Sequence, residues 1–422
     1  MKHFIVKSTP SAFGNPVFLR IWLVNLISGT AVAAHDTAAT WMMNLMSPSG
    51  LLLSLMASLA SLPFFLFTLP AGALADALNE GRIMRLANLW LAGCAGLLAL
   101  LGWAGKLNPP LLLTGVFLLG VGFAINAPAW ASVVPQIVTD AQLPSASALN
   151  GMQLNVSGIL GPALAGVLLL KVGAPTVFGL NAVGFLLVSA SIPRLEKASP
   201  DPGQALRMFA HAISGAFCYV GQNREVRNIL FLNVVFSSFV VVVPALTPVL
   251  LLKELHLDGS SLGLVFASLG VGSVASAIFV IPRLRSRFSS SALIVIAQLS
   301  LSGIYLLMAM VHHCAYCLVP MALAGASWTL AGSELWVMAQ RAMQNSMRAR
   351  VSAIMMIASQ GAMTLAGIIW GFSGRIVGTR STLLAAGLLF FTITAGGLLL
   401  RRTAGELSTT VGKGPVPHAP AS

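Results

Sequence analysis

Two acids stand inside long apolar stretches of the sequence, Asp36 within residues 18–43 and Glu334 within 315–341. A carboxylate at that depth of a nonpolar phase is costly, so its presence asks for a use. One use is chemical: protonation coupled to a conformational change, or contact with a cation. The other is structural: reaching lipid headgroups from near the end of a segment, or pairing structurally. Asp36 shares a helical face with Asn25, Gly29, Ala33 and Thr40, a polar stripe that predicts a cavity-facing surface. Glu334 aligns with Ser327 and Arg341 at spacings of seven. His35 points about 100° away from Asp36 and reads as a packed or hydrogen-bonded histidine.

Asn25, Thr40, Asn126, Asn150, Gln153 and Ser327 are the candidate contacts to a small molecule in such a cavity. Further amides, among them Asn155, Asn181, Asn233, Gln298 and Gln360, read as hydrogen bonds between helices. His312, His313, Cys314 and Cys317 lie close together, but structural zinc needs four well-placed ligands and one short cluster does not define them. No metal site and no cofactor is assigned. The chain has no Gly-x-x-x-x-Gly-Lys-Ser/Thr loop, no HExxH and no sizeable soluble module, which argues against an enzyme and against nucleotide-driven transport.

These groups must be positioned by elements suited to a bilayer. Of 422 residues, 57% are hydrophobic and only 8% charged, and the mean hydropathy is +0.87. Typical soluble domains carry about 25% charged residues, so this chain has too little charge to cover a water-facing exterior. The basic residues behind the net charge of +13 sit singly or in small groups between apolar runs, unlike a nucleic-acid-binding face.

Segments of about 20 apolar residues cross a hydrocarbon core. Twelve are expected, at 18–43, 50–75, 83–105, 110–134, 143–171, 174–193, 228–252, 261–282, 290–311, 315–341, 351–374 and 381–400. With the N-terminus cytoplasmic, only five of the 24 basic residues (Lys106, Lys171, Lys253, Arg375 and Arg380) fall on the outer side. That asymmetry predicts cytoplasmic termini.

The expected organisation is therefore an all-α membrane protein with twelve transmembrane helices. A six-helix half spans residues 1–193 and a second spans 228–402. Between them lies a cytoplasmic linker at 194–227, whose residues 204–221 have the apolar spacing of an interfacial helix. Residues 403–422 are expected to form a disordered cytoplasmic tail. Gly158, Gly161, Pro162 and Gly166 predict a helix surface for close packing, with Pro162 as a bend. Gly361, Gly367, Gly371 and Gly374 do the same in the eleventh segment.

The 2–3 loop reads Gly72-Ala73-Leu74-Ala75-Asp76, then Gly81-Arg82 and Arg85. This resembles the loop signature of the major facilitator superfamily, Gly-x-x-x-Asp followed by Gly-Arg and a further basic residue. Ala77 stands where that family has a basic residue, and Gly-Arg is displaced by about one position. Asn126-Ala127-Pro128-Ala129-Trp130, Ala148-Leu149-Asn150-Gly151, Gly161-Pro162-Ala163-Leu164-Ala165-Gly166 and Arg348-Ala349-Arg350-Val351 look like the exporter branch that includes the enterobactin exporter family.

The resemblance implies two six-helix halves working by alternating access, with Gly72, Asp76, Arg82 and Arg85 as a cytoplasmic gating loop. It further implies a bacterial inner-membrane exporter of a small, partly apolar molecule such as a drug, siderophore or metabolite, driven by protons and acting as a monomer. Asp36 and Glu334 are the candidate coupling acids. The fourth segment lacks the arginine that many drug–proton antiporters carry. A facilitator importer or a lysophospholipid flippase on the same fold is the alternative, because Ala75-Asp76 through Gly81-Arg82-Ile83-Met84, with Asn88, is similar to lysophospholipid transporters.

Overall fold

The computed structural model describes residues 12–77, 80–139, 141–192, 214–344 and 347–411. Among these, twelve helices are long and apolar enough to cross a membrane. They are α1 Pro16–Met46, α2 Gly50–Ala77, α3 Glu80–Trp103, α4 Pro109–Ile137, α5 Leu143–Lys171 and α6 Gly173–Ser191. The second six are α7 Arg224–Glu254, α8 Gly259–Arg285, α9 Ser290–Met310 and α10 Ala315–Ala342, then α11 Arg348–Val377 and α12 Thr379–Val411. Every expected span is present.

The helix ends follow local chemistry. Asn15 opens α1 by accepting from the Val17 and Phe18 amides at 3.0 and 3.2 Å, with Pro16 in the first turn, where its missing N–H costs nothing. Asn223, Asp258 and Ser289 cap α7, α8 and α9 in the same way. Gly378 joins α11 to α12 at φ +89°, a backbone region that side chains disfavour.

α7 and α8 are not uniform rods. α7 is interrupted at Val241 and ends in a π-helical turn, Leu250–Glu254, and α8 contains another at Ser276–Val280. Such turns re-aim the side chains that follow and recur at functional positions.

Two differences from the sequence expectation concern connections. The last helix continues to Val411, so the expected tail from 403 begins as helix, and 412–422 lie outside the described residues. Of the linker, residues 214–222 are helical and 193–213 lie outside the described residues.

In the first half α1 packs on α5 and α6, α3 on α4 and α6, and α2 on α4. In the second half α8 and α9 pack on α10, α9 on α12, and α7 on α11. The halves meet along α2–α11 and α5–α8. The outer surface is apolar: Leu170, Phe231 and Ile376 are 67%, 66% and 77% exposed, as side chains facing acyl chains are.

One end of the bundle carries the start of α1 and the end of α12, and is called here the terminal end. The other, the loop end, carries the α1–α2, α7–α8 and α11–α12 connections.

Candidate functional site

A cavity of about 290 Å³ lies between the halves, lined by α1, α2, α4, α5, α7 and α8. Asp36, Thr37 and Thr40 are its polar wall; Met56, Pro162, Pro244, Pro248 and Phe266 are among its apolar residues. Asp36 also borders a space of about 270 Å³ between α1, α2 and α4. A larger cavity of about 540 Å³ lies nearer the terminal end, bordered by Thr68, Asn233, Trp336, Ser352, Ser359 and Gln360 among others.

Asp36 is exposed to the first two of these spaces. Among the described residues no hydrogen-bond or ion-pair partner meets its carboxylate. Thr40 Oγ1 donates to the Asp36 main-chain carbonyl at 2.8 Å, and Thr37 Oγ1 to that of Ala33 at 3.0 Å. His35 turns the other way, 1% exposed, with its ring centroid 4.4 Å from that of Phe178 on α6.

Toward the loop end the halves are in close contact. On α5–α8, a side-chain carbon at Gly270 would meet the Gly158 carbonyl at 2.7 Å, one at Gly263 would meet Pro162 and Gly166, and one at Gly166 would meet Ser260. On α2–α11, Gly371 and Gly367 face the Ser54 and Ser58 side chains, and farther from the loop end Gly361 faces the Phe65 ring. On α5–α8 glycine lets the backbones approach this closely, and on α2–α11 it makes room for the facing side chains. Lys253, at the end of α7, crosses between the halves and donates to the carbonyls of Asn44 and Ser47 at 3.1 and 2.6 Å.

The structure brings some of the sequence candidates together and separates others. Asp36, Thr40 and Pro162 share the cavity. Glu334 is fully buried in the second half, its Oε1 2.6 Å from Arg285 Nε at the end of α8. Its Oε2 has no hydrogen-bond partner among the described residues.

Gln153 Nε2 donates to the Asn25 carbonyl at 3.1 Å and to Ser157 Oγ at 3.3 Å, tying α5 to α1. Asn126 accepts from Asn88 at 3.1 Å between α3 and α4, and Ser327 donates to Ser300 at 3.0 Å between α10 and α9. Asn150 is absent from the walls of all three cavities.

Gly158 and Gly166 face α8, whereas Gly161 sits on α1, where a side-chain carbon would meet Ala33 and the Thr30 carbonyl. Gly72 and Asp76 belong to the last turns of α2, and their side chains lie outside the described residues. Arg82 is exposed at the start of α3, and Arg85 Nε donates to the Gly81 carbonyl at 3.3 Å. Cys314 and Cys317 are free thiols.

Thr37, Phe266 and Pro248 in the cavity wall, and Lys253 at the loop end, carry no individual signal in the sequence. Lys253 is visible only as one of two adjacent charges, with Glu254, that close an apolar run.

A twelve-helix bundle split into two halves around a central cavity is the architecture of a major facilitator transporter. Solved structures agree: a nucleoside transporter superposes with a TM-score of 0.69 at 10% identity, covering 91% of this chain and 98% of that one. A D-xylose–proton symporter superposes with a TM-score of 0.66 at 16% identity, covering 88% and 97%.

The chain belongs to the transmembrane secretion effector family of that superfamily, whose sequence profile matches residues 7–418. Macrolide efflux protein A of Streptococcus pyogenes is 22% identical over 235 residues, 55% of this chain and 58% of that protein. The match thus spans less than two thirds of that relative's length. The staphyloferrin A transporter of Staphylococcus aureus is 22% identical over 334 residues, 79% of this chain and 83% of that protein. A lysophospholipid transporter of Salmonella typhimurium is 29% identical over 167 residues, 39% of this chain and 40% of that protein.

Proposed function

We propose that this transporter exports a small, partly apolar molecule from the cytoplasm across the bacterial inner membrane, as a monomer, in exchange for protons. The observation that carries the reading is the unpaired carboxylate of Asp36 in the cavity between the halves. A charged side chain at membrane depth costs roughly 2.5–3.5 kcal/mol even on insertion scales, and such groups mark ion and substrate pathways. Two relatives with efflux or siderophore-transport names support the same reading.

With both termini cytoplasmic, as the distribution of basic residues supports, the closed loop end is the outer gate. The larger cavity then belongs to the cytoplasmic side. Substrate enters there, and the halves rock along the α2–α11 and α5–α8 seams, which parts the loop end and exposes Asp36 to the outside. Proton loading of Asp36 from outside favours return of the empty carrier. Glu334, with a fixed partner in Arg285, serves in this scheme to fasten α8 to α10. Asp76, Arg82 and Arg85 remain the proposed closure of the inner gate, on the family resemblance.

The test is accumulation of a panel of toxicants and metabolites in cells with and without the protein. Export predicts lower retention of at least one compound in cells with the protein, and loss of that difference when a protonophore collapses the gradient. Higher retention would indicate import, and inward movement of labelled lysolipid into vesicles would favour the flippase alternative that the lysophospholipid transporter relative brings.

A further inference from the structure

The polar atoms on the wall around Asp36 are of one kind. Asp36 offers carboxylate oxygens and, when ionised, only accepts hydrogen bonds. The hydroxyl hydrogens of Thr37 and Thr40 are already given to the carbonyls of Ala33 and Asp36, so each hydroxyl turns only lone pairs toward the cavity. Pro244 and Pro248, on the facing wall, have no N–H to give. Among the described residues, no Lys, Arg or His lines this cavity or the two beside it. His35, the nearest imidazole in sequence, is turned onto Phe178.

With Asp36 ionised, the site has one negative charge, acceptors and no donor, and selects a ligand by chemistry. An anion would be repelled by an uncompensated carboxylate and would find no donor to replace its lost water. A neutral molecule would gain apolar contact with Met56, Leu262 and Phe266 but leave the carboxylate uncompensated. An ammonium carrying N–H bonds satisfies both demands, and the Phe266 ring adds a face that attracts cations.

We infer that the cavity is specific for lipophilic monocations that carry a protonated amine, with Asp36 as the charge-recognising residue and the Thr37 and Thr40 oxygens as acceptors for its N–H groups. This deepens the export reading and rests on it for the physiological direction. It also makes proton and substrate compete for one site, since one carboxylate cannot hold a proton and an ammonium together.

The experiment uses a matched dansyl series with a pentyl tether ending in ammonium, trimethylammonium, methyl or carboxylate. Each probe is titrated by fluorescence against the full-length protein in phosphatidylcholine nanodiscs, with empty nanodiscs subtracted. A single close charge pair with hydrogen bonds predicts that the ammonium probe binds roughly 10- to 100-fold tighter than the methyl probe. The trimethylammonium probe should fall between them, and the carboxylate probe should bind weakest. Asp36→Asn should bring the ammonium probe to within about threefold of the methyl probe, and Thr40→Val should narrow the gap between ammonium and trimethylammonium.

If Asp36→Asn does not fold, the order of the four probes on the wild-type protein decides alone. Equal affinities, a preference for carboxylate, or no binding would overturn the amine class. Outward movement of some other compound alongside such a failure leaves export standing. Protein-dependent inward movement of the ammonium probe keeps the amine class and overturns export.

Discussion

Lys253 Nζ lies 2.6 Å from the main-chain carbonyl oxygen of Ser47, so a side chain of the second half closes the C-terminal end of α1. The last carbonyls of a helix have no partners inside it, and a cation there is favourable. The next residue, Glu254, pairs instead with Arg380 at 2.9 Å, whose other nitrogens hold the carbonyls of Ala309 and Val311. The π-helical turn Leu250–Glu254 carries these two adjacent charges, one directed across the halves and one within its own half. Replacing Lys253 by Met removes a charged hydrogen-bond donor worth about 1.5–3 kcal/mol. Distances measured by electron spin resonance between labels on the α1–α2 and α7–α8 connections should shift toward an opened loop end. An unchanged distance distribution would count against Lys253 as a latch.

Gly263 and Gly272 both lie on α8 but face different partners. A side-chain carbon at Gly263 meets Pro162 and Gly166 across the halves, whereas one at Gly272 meets the Ala322 backbone within the second half. Gly263→Ala should therefore impair transport while leaving the thermal unfolding temperature close to wild type, because the halves can part. Gly272→Ala should lower that temperature and the yield of folded protein. Both temperatures are read from the intrinsic tryptophan signal in detergent, and equal losses in the two variants would contradict the distinction.

The Arg285–Glu334 pair is lopsided: the glutamate side chain is fully buried and the arginine 44% exposed. Arg285→Ala strands a buried carboxylate and should cost about 3–5 kcal/mol, while Glu334→Gln frees an arginine that water can reach and should cost clearly less. Thermal unfolding of the two variants tests the order. Greater loss in Glu334→Gln would point to a role for the glutamate beyond this pair.

Much of this was legible in the sequence. All twelve spans follow from apolar run length. The stripe Asn25, Gly29, Ala33, Asp36 and Thr40 is a real face of α1, but α5 covers its lower part: Gly29 meets Gln153 and Ser157, and Ala33 meets Gly161. The cavity opens only around Ala33–Thr40; below it the Gln153 side chain bonds to the Asn25 main-chain carbonyl between helices, and Asn25 Nδ2 has no hydrogen-bond partner among the described residues. Periodicity gives the angle of a residue around its helix but not the height at which a neighbour crosses. Glu334 and Arg285 are 49 residues apart in sequence, and their pairing depends on how α8 packs on α10, which single-helix patterns do not encode.

Asp258, outside the membrane spans, caps α8 through the Ser261 amide at 2.9 Å, and Ser260 Oγ donates to its other oxygen at 2.8 Å. Those hydrogen bonds hold its carboxyl below the usual carboxylate range. A depressed folded value means the cap contributes fully above the unfolded pKa and is lost as pH falls through the folded one. Asp258→Ala should cost about 1 kcal/mol at neutral pH, with the difference from wild type shrinking in acid. A difference that stays constant down to acid pH would show that the carboxylate charge is not involved.

Coupling at Asp36 is the centre of the account, and energised everted membrane vesicles test it most directly. The substrate is the compound whose retention the protein lowers most in cells. Wild-type vesicles, whose lumen corresponds to the cell exterior, should accumulate it above the external concentration when protons are pumped inward, and should lose it when the proton gradient is collapsed. Asp36→Asn vesicles should only equilibrate it. Uphill accumulation that persists in Asp36→Asn vesicles, or that ignores the proton gradient, would contradict the assignment.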